Sequence, residues 1–301
     1  MSGSKRVQPV LTPLPRAGVD VSIIVVNYNG EQFLRPCIES ILASSTQYGY
    51  EILLIDNASA DGSIEALAPF LNQLTLIRNP QNVGFTVANN QGLANASGRF
   101  VLLLNTDTLV SPNTIDVLVE YGKAHPEAGA VSPRLRNKDG SVQIPGNPMR
   151  KGPYQKSTPS EVDFISGAAF FTTLDMMKTI GGLDEAFFFY NDDIDLCIRI
   201  KKTGTKIIQL PNGDVLHYGG GSSHFDFKRL NYEGIRGGLY LVKKHYPKIA
   251  FYLYRILLLL FASGMVIGSW VLFKPRSSGT FVKLIKAIIK NDLKNIPNNP
   301  R

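Results

Sequence analysis

Three aspartates stand close together in the sequence, directly after a run of aromatic residues. Asp192, Asp193 and Asp195 follow the aromatic residues at 187–190 and lead into an apolar stretch that begins at Leu196. Carboxylates at the start of a helix are often capping groups, which stabilise free backbone N–H groups and the helix dipole. Crowding beside an aromatic wall favours a second interpretation, because burial and like charge raise a carboxyl pKa towards useful basicity. The cluster is therefore a candidate for proton abstraction.

A further aspartate and a histidine are candidate ligands for a divalent cation. Asp107 follows the apolar run 100–104, and a carboxylate at that point can hold a cation against phosphate oxygens. His217 precedes the glycines at 219–221, whose backbone N–H groups allow close approach of a phosphate. His217 has two interpretations, a metal ligand or a packing residue. A ring nitrogen beside a carboxylate suits Mn²⁺ better than Mg²⁺.

Polar side chains also follow the first two apolar runs of the chain. Asn27 and Asn29 come after the first run, and Asp56 and Asn57 come after the second. Asp56 could accept a hydrogen bond from the N–H of a nucleotide base, although the same residue types are common in plain turns. No GxGxxG follows the first run and no GxxxxGK[ST] occurs in the sequence. Their absence argues against a dinucleotide dehydrogenase and a P-loop NTPase.

The elements that must position these residues alternate between strands and helices. Residues 21–26, 51–55 and 100–104 are apolar on both faces, which is typical of buried parallel strands. Helices are predicted at residues 32–43, 62–71 and 86–96. This alternation predicts an α/β fold, a doubly wound, mostly parallel sheet with helices on both faces. Such sheets bind ligands at the carboxyl ends of their strands, where the candidate side chains lie.

The C-terminal part of the chain has a different composition. The net charge is +8, yet residues 243–301 carry 11 Lys or Arg against one acidic residue, and residues 1–242 carry 21 against 23. Residues 256–273 contain no charge, which is near the lower limit for spanning a bilayer, and 281–294 predict a basic amphipathic helix. Membrane contact in the plane, a single span and a buried helix are all compatible with this pattern. We divide the chain into an N-terminal extension (1–20), an α/β domain (21–242) and a membrane-associating region (243–301, with membrane contact through 243–294).

Composition also indicates a compartment. Cys37 and Cys197 lie far apart and form no CxxC pair, so neither a disulfide framework nor a zinc site is indicated. The first 20 residues lack the apolar core of a secretory signal. We therefore expect a cytoplasmic protein associated with the inner face of the cell membrane. The slightly acidic residues 1–242 argue against nucleic acid as a partner.

Taken in their order along the chain, these motifs resemble the family-2 glycosyltransferases. Within that family the sequence is most similar to the rhamnosyltransferase-like branch of bacterial surface polysaccharide synthesis. The resemblance covers about residues 21–223 and rests on Val25-Val26-Asn27-Tyr28-Asn29, Asp56-Asn57-x-Ser59-x-Asp61-Gly62-Ser63, Asn82-x-Gly84-Phe85, Leu103-Leu104-Asn105-x-Asp107, residues 187–196 and His217-x-Gly219-Gly220-x-Ser222.

The resemblance implies a GT-A fold, a Rossmann-like architecture, with roles for particular residues. Asp56 contacts the base, and Asp107 matches the last acid of the family's DxD motif, which binds a divalent metal, Mn²⁺ or Mg²⁺. His217 matches a metal-proximal histidine found in part of the family. Asp193 matches the general base, with Asp192 in place of a Glu. The other nucleotide-sugar-binding residues implied are Asn27, Asn29, Asn57, Asn82, Gly84, Gly220 and Asn105, which stands where the first Asp of the DxD motif often lies.

The activity implied is inverting transfer of a sugar, rhamnose or another hexose, from a nucleotide-diphosphate donor to a saccharide or lipid-linked saccharide. A catalytically inactive nucleotide-sugar-binding module is the main alternative, and loss of the metal-binding Asp or of the base would distinguish it. A nucleotidyltransferase would need a basic glycine-rich loop after the first strand. Residues 27–30 contain no Lys or Arg.

Overall fold

The computed structural model describes residues 18–145, 151–219 and 227–271, together with Ile285 and Ile288. The chain separates into two compact units. The first comprises residues 1–188 and 192–224, and the second comprises 189–191 and 225–301. The N-terminal extension predicted at 1–20 lies outside the described residues up to position 17.

An eight-stranded, mostly parallel sheet forms the first unit, with the strand order β3-β2-β1-β4-β9-β6-β10-β8. Strands β9 and β8 run antiparallel to their neighbours. The predicted α/β fold with a mostly parallel sheet is therefore confirmed. The strands are β1 (Val21–Asn27), β2 (Tyr50–Asp56), β3 (Thr75–Arg78), β4 (Phe100–Asn105), β5 (Thr108–Val110), β6 (Ala128–Ser132), β7 (Leu135–Arg136), β8 (Ser160–Glu161), β9 (Ala169–Thr173), β10 (Lys206–Gln209) and β11 (Val215–His217).

The central strands are apolar on both faces because each face is covered by helices. Alternate residues of β1, such as Ile23 and Val25, pack into one core with α1 (Glu31–Leu42) and α3 (Thr114–Ala124). The intervening Ile24 packs into the opposite core with α2 (Phe85–Asn95), α4 (Leu174–Ile180) and α5 (Asp192–Lys201). Each fully buried Ile or Leu contributes about 1.5–3 kcal/mol of transfer free energy. A register slip of one residue in an outer strand would move each of its side chains to the opposite face of the sheet, and so into the other core.

The helices predicted at 32–43 and 86–96 are α1 and α2, each displaced by one residue. The third predicted helix, at 62–71, is present, but it begins three residues later and ends two residues later than predicted. A 3₁₀ helix occupies Glu65–Gln73, and Pro69 within it lacks the N–H that an α-helical hydrogen bond requires.

The register of the parallel strands brings the candidate side chains to one edge of the sheet. Asn27, the last residue of β1, pairs with Asp56, the last residue of β2. On the other side, Val26 pairs with Asn105, which ends β4. Past β4, a small three-stranded sheet with the order β5-β11-β7 continues from the same edge.

The second unit contains two helices, α6 (Phe227–His245) and α7 (Lys248–Val271). The boundary predicted between residues 242 and 243 lies inside α6. The unit has its own apolar cluster, built on Leu239, Phe251, Ala262 and Ile288. Within the described ranges, no helix is sufficiently long and apolar to cross a bilayer. The amphipathic helix predicted at 281–294 lies outside the described residues, apart from Ile285 and Ile288.

Candidate functional site

The two predicted metal ligands lie side by side, although 110 positions separate them in the sequence. Asp107 is in the turn between β4 and β5, and His217 ends β11, which pairs antiparallel with β5. His217 is paired with Thr108, and the backbone N–H of Tyr218 donates to the Asp107 carbonyl at 2.9 Å. As a result, His217 Nε2 lies 3.4 Å from Asp107 Oδ1. The Asp107 side chain is only 2% exposed.

This pair fits a divalent cation. Nδ1 of His217 lies 2.6 Å from Oε1 of Gln143, so Nε2 is the nitrogen turned towards the carboxylate. Among the residues described, no group of three or more His, Cys, Asp or Glu is arranged to hold an ion. Two protein ligands are compatible with a cation that takes its other ligands from phosphate oxygens and water, as Mg²⁺ commonly does. Gln143 escaped the sequence analysis because nothing in its local sequence indicates a partner 74 positions away.

The acidic cluster divides into two parts with different environments. Asp195 is fully buried and pairs with Arg199, whose Nε lies 2.7 Å from Asp195 Oδ2. Arg199 also donates to the carbonyls of Ile180 and Gly182, so this pair fastens α5 to the preceding loop. The third member of the predicted cluster therefore has a structural contact of its own.

Asp192 and Asp193 lie in the first turn of α5, and neither forms an ion pair with another residue that the structure describes. Burial raises the pKa of Asp192, and the negative charge of Asp193 raises it further. Burial also raises the pKa of Asp193, although the backbone N–H groups of Gly167 and Ile194 donate to its carboxylate and oppose the shift. A carboxylate with a raised pKa is a stronger base, as proton abstraction requires.

The loop before the acidic pair is fastened to the start of α2. Thr86 donates its hydroxyl to the Phe187 carbonyl at 2.6 Å, and the Phe85 N–H donates to the Phe188 carbonyl at 2.9 Å. Gly84 has φ +93°, and a Cβ there would lie 2.8 Å from the Phe188 ring. The adjacent N–H of Gly84 donates to Asn82 Oδ1. Asn82 and Gly84, predicted as nucleotide-sugar ligands, thus have contacts that shape this loop.

The candidates for the nucleotide gather at the ends of β1, β2 and β3. Asn27 donates to Asp56 Oδ1 at 3.3 Å and to the Ser59 hydroxyl at 2.9 Å. Asp56 is fully buried, and its Oδ2 has no hydrogen-bond partner among the described residues, although Arg78 Nε lies 3.6 Å away. A buried acceptor without a hydrogen bond is costly, so a donor from a bound ligand would stabilise it. Arg78 was missed by the sequence analysis, although it ends β3 at the same edge.

Two further predicted residues stiffen the same edge. Asn57 donates to the Gly84 carbonyl and accepts from Asn79 at 2.8 Å, which ties the end of β2 to α2. Asn29, with φ +51°, accepts from the Ala60 N–H at 2.9 Å. These amide contacts connect the loops after β1, β2 and β3.

A short segment joins the acidic pair to the segment that carries Asp107. The Asn105 N–H donates to the Ala168 carbonyl at 3.0 Å, and the neighbouring Gly167 N–H donates to Asp193 at 3.2 Å. Asn105 lies two residues before Asp107, so the two pairs belong to neighbouring backbone segments of one unit. Gly220, also predicted to bind the nucleotide sugar, lies outside the described residues.

Comparisons with known proteins identify relatives in sequence and in fold. One relative is the N-acetylglucosaminyl-diphospho-decaprenol L-rhamnosyltransferase of Mycobacterium tuberculosis, 29% identical over 221 residues that cover 61% of this chain and 72% of that protein. In structure, the chain is similar to a mannosyltransferase from Pyrobaculum calidifontis in complex with GDP-Man and Mn²⁺, with a TM-score of 0.59 and 18% identity over 95% of this chain and 88% of that chain. It is also similar to GalNAc-T7 with UDP, GalNAc and Mn²⁺, with a TM-score of 0.55 and 19% identity. That match covers 66% of this chain, which spans only 43% of GalNAc-T7.

The structural likenesses show a GT-A-like fold. The sequence supplies the family, because the model of glycosyl transferase family 2 matches residues 22–180, which is more than half of the chain. The matched residues contain the predicted nucleotide edge and Asp107. The chain therefore belongs to glycosyl transferase family 2.

Proposed function

We propose that this protein is an inverting, metal-dependent glycosyltransferase that moves a hexose from a nucleotide-diphosphate sugar to a saccharide or lipid-linked saccharide. The observation that carries the proposal is the meeting of Asp107 and His217, 3.4 Å apart. It is supported by the acidic pair next to the same sheet edge, in which Asp192 is buried and Asp193 is partly buried. Asp56 and Arg78 complete the proposed site, which can bind a nucleotide and its diphosphate next to a general base.

Asp193 is the general base of this proposal. Its carboxylate accepts the proton of an acceptor hydroxyl while the hydroxyl oxygen forms a bond to the anomeric carbon. The bond from that carbon to the diphosphate oxygen breaks in the same step, and the electron pair leaves with the nucleotide diphosphate. Attack from the face opposite the leaving group inverts the configuration. A divalent cation bound by Asp107 and His217 would supply positive charge that neutralises the diphosphate.

Asp192 has a supporting role in the same step. Its carboxyl group is buried, and the negative charge of Asp193 adds to the effect of burial in raising its pKa. One methylene shorter than the Glu that the family resemblance implies, it reaches less far towards an acceptor hydroxyl. The Gly167 N–H holds the Asp193 carboxylate in place.

The donor and acceptor follow from the relatives rather than from the geometry. The mycobacterial relative is a rhamnosyltransferase whose name includes N-acetylglucosaminyl-diphospho-decaprenol, a lipid-linked saccharide. We therefore favour rhamnose or another hexose as the transferred sugar, a lipid-linked saccharide as the acceptor, and a place in surface polysaccharide synthesis.

A thermal-shift screen tests the donor class. Nucleotide-diphosphate sugars are added to the full chain with and without Mn²⁺, since a ligand that binds only the folded state raises the melting temperature. We expect stabilisation by one or a few nucleotide sugars that depends on Mn²⁺ and disappears in Asp107→Asn. Stabilisation that is equal with EDTA and in Asp107→Asn would contradict the metal-dependent proposal.

The second unit gives the enzyme a membrane-facing surface in this proposal, at the inner face of the cell membrane. One face of α7 exposes apolar side chains that recur every three or four residues and are 53–67% exposed: Ile249, Tyr252, Leu253, Ile256, Leu257 and Leu260. Such a row is typical of a helix lying at a lipid surface. Lys243, Lys244 and Lys248 lie before or at its start and would face anionic headgroups.

Vesicle sedimentation of the full chain tests this surface. We expect binding to anionic vesicles, with much weaker binding in a Leu253→Glu, Leu257→Glu double variant. The double variant Asn72→Glu, Gln73→Glu adds the same charge at two exposed positions of the first unit and should bind like the wild type. Equal binding by both double variants would show that this face does not contact lipid.

A further inference from the structure

The loop that supplies Gln143 is a closed hairpin with a continuous hydrogen-bonded chain inside it. Its backbone is closed by the Asn137 N–H donating to the Ser141 carbonyl at 2.9 Å and by a bridge between Arg136 and Val142. Gly140 takes φ +80° at its tip. We call residues 137–143 the relay hairpin. It brings Gln143 to His217, whose imidazole it contacts.

The direction of the hydrogen bonds in this series is set at one end by the Asp139 carboxylate, which can only accept a hydrogen bond. Ser141 donates its hydroxyl to the Asp139 carboxylate at 2.6 Å, so its oxygen is left to accept from Asn137 Nδ2 at 3.0 Å. Asn137 Oδ1 then accepts from Gln143 Nε2 at 3.0 Å. With its amide nitrogen committed, Gln143 turns Oε1 to His217, 2.6 Å from Nδ1. Each amide has one orientation that satisfies both neighbours.

From this polarity, and resting on the proposed function, we propose that Gln143 is a positioning residue that holds His217 as the Nδ1–H tautomer. Because Oε1 can only accept, Nδ1 must donate, and a neutral imidazole then carries its lone pair on Nε2. Nε2 lies 3.4 Å from the Asp107 carboxylate. Two acceptors facing each other at this distance are suited to share a cation. Outer partners of this kind orient a metal-bound histidine and raise its basicity.

The relay hairpin is also fixed to the strand that carries His217. The Gln143 N–H donates to the Leu135 carbonyl at 2.8 Å, and β7, which contains Leu135, pairs with β11. Arg136 Nε lies 2.6 Å from Asp214 Oδ2, just before β11. A Cβ at Gly219 would lie 3.6 Å from Gln143 Nε2, so the amide packs against the turn after His217. The hydrogen-bond donor, Nδ1 of His217, and its acceptor, Oε1 of Gln143, are thus held in place before any ligand binds.

Two substitutions and a control test the proposal. Gln143→Leu keeps the bulk and removes the acceptor, whereas Gln143→Glu keeps an acceptor for Nδ1–H. Gln73→Leu changes an exposed glutamine at the end of the 3₁₀ helix and serves as the control. The Kd of Mn²⁺ is measured by electron paramagnetic resonance in the presence of the nucleoside diphosphate that most stabilises the wild type. We expect about 10- to 100-fold weaker Mn²⁺ binding in Gln143→Leu, and changes of only a few-fold in Gln143→Glu and the control.

The second readout is independent of the metal. The ¹⁵N shifts of labelled histidine in the metal-free wild type should show His217 protonated at Nδ1, and Gln143→Leu should lose that preference while remaining folded. A wild type in which Nδ1 of His217 carries no proton, or a Gln143→Leu variant with an unchanged tautomer and Mn²⁺ affinity, would overturn the proposal. A wild type that binds no Mn²⁺ would instead overturn the metal dependence in the proposed function, and the tautomer measurement would still decide the role of Gln143.

Discussion

Replacing Asp192 by asparagine should stabilise the protein at neutral and alkaline pH, although it removes one of the two carboxyl groups of the acidic pair. Burial first, and then the charge of Asp193, raise the pKa of Asp192 from 3.8 to about 8. A carboxyl group with a raised pKa stabilises the fold fully below its unfolded value, and this stabilisation is lost as pH rises through the folded value. The folded wild type should therefore lose stability between about pH 4 and pH 8, and Asp192→Asn should lose less.

The shift sets the size of the effect. A difference of roughly four pKa units corresponds to an upper limit of about 6 kcal/mol at about 1.4 kcal/mol per unit. Relaxation of the acidic loop and sharing of one proton by the two carboxylates reduce this, and we expect about 2 kcal/mol. Urea unfolding of the wild type and Asp192→Asn at pH 5, 6, 7 and 8 measures it. The free energies of unfolding should be similar at pH 5 and diverge towards pH 8.

Asp175 provides a matched control, because it lies in the first turn of α4 and is exposed. Asp175→Asn should change the free energy of unfolding by no more than about 0.5 kcal/mol at every pH. If Asp192→Asn followed the wild type in parallel from pH 5 to pH 8, ionisation of the buried Asp192 carboxyl group would not destabilise the fold. The reasoning about the acidic pair would then be refuted.

Three other substitutions have expected outcomes. Asp193→Asn should lower the rate of sugar transfer by about 10²- to 10⁴-fold and leave the nucleotide affinity within a few-fold of the wild-type value. Kinetics measures the rate and calorimetry measures the affinity. A normal rate of transfer would show that Asp193 is not the general base. Gly84→Ala should unfold at a lower urea concentration than Gly204→Ala. Both glycines have positive φ, but only at Gly84 would a Cβ lie against an aromatic ring, 2.8 Å away. Equal losses of stability in the two variants would disprove this steric explanation. Arg199→Leu should cost about 3–5 kcal/mol of unfolding free energy, since it removes the cation that lies 2.7 Å from the fully buried Asp195 carboxylate. The double variant with Asp195→Leu should recover part of that loss.

The central sheet could be predicted because its physics is local. Residues 21–26, 51–55 and 100–104 are apolar apart from Ser22 and Glu51, and such near-continuous apolar runs are typical of strands covered on both faces. The structure lengthens these strands by one or two residues, as β1, β2 and β4. The helix predicted at 62–71 is a 3₁₀ helix at Glu65–Gln73, and Pro69 within it lacks the N–H that an α-helical hydrogen bond requires.

Part of the site was predictable for a similar reason. Asp56 and Asp107 follow strands, and the carboxyl ends of parallel strands meet at one edge. The residues that contact the site side chains were not predictable, because they reach the site through strand and hairpin pairing between segments that are distant in sequence. Gln143 reaches His217 across 74 positions through a hairpin, and β9 enters the sheet antiparallel between strands far from it in sequence.

The most direct test of the account is one transfer reaction followed by proton nuclear magnetic resonance. The donor identified by thermal shift and a lipid-linked saccharide are incubated with the full chain, Mn²⁺ present, and the anomeric configuration of the product is read from its coupling constants. The account predicts a new glycosidic bond of inverted configuration, formed by the wild type and lost in Asp107→Asn and with EDTA. A product of retained configuration, or transfer that continues with EDTA, would contradict it.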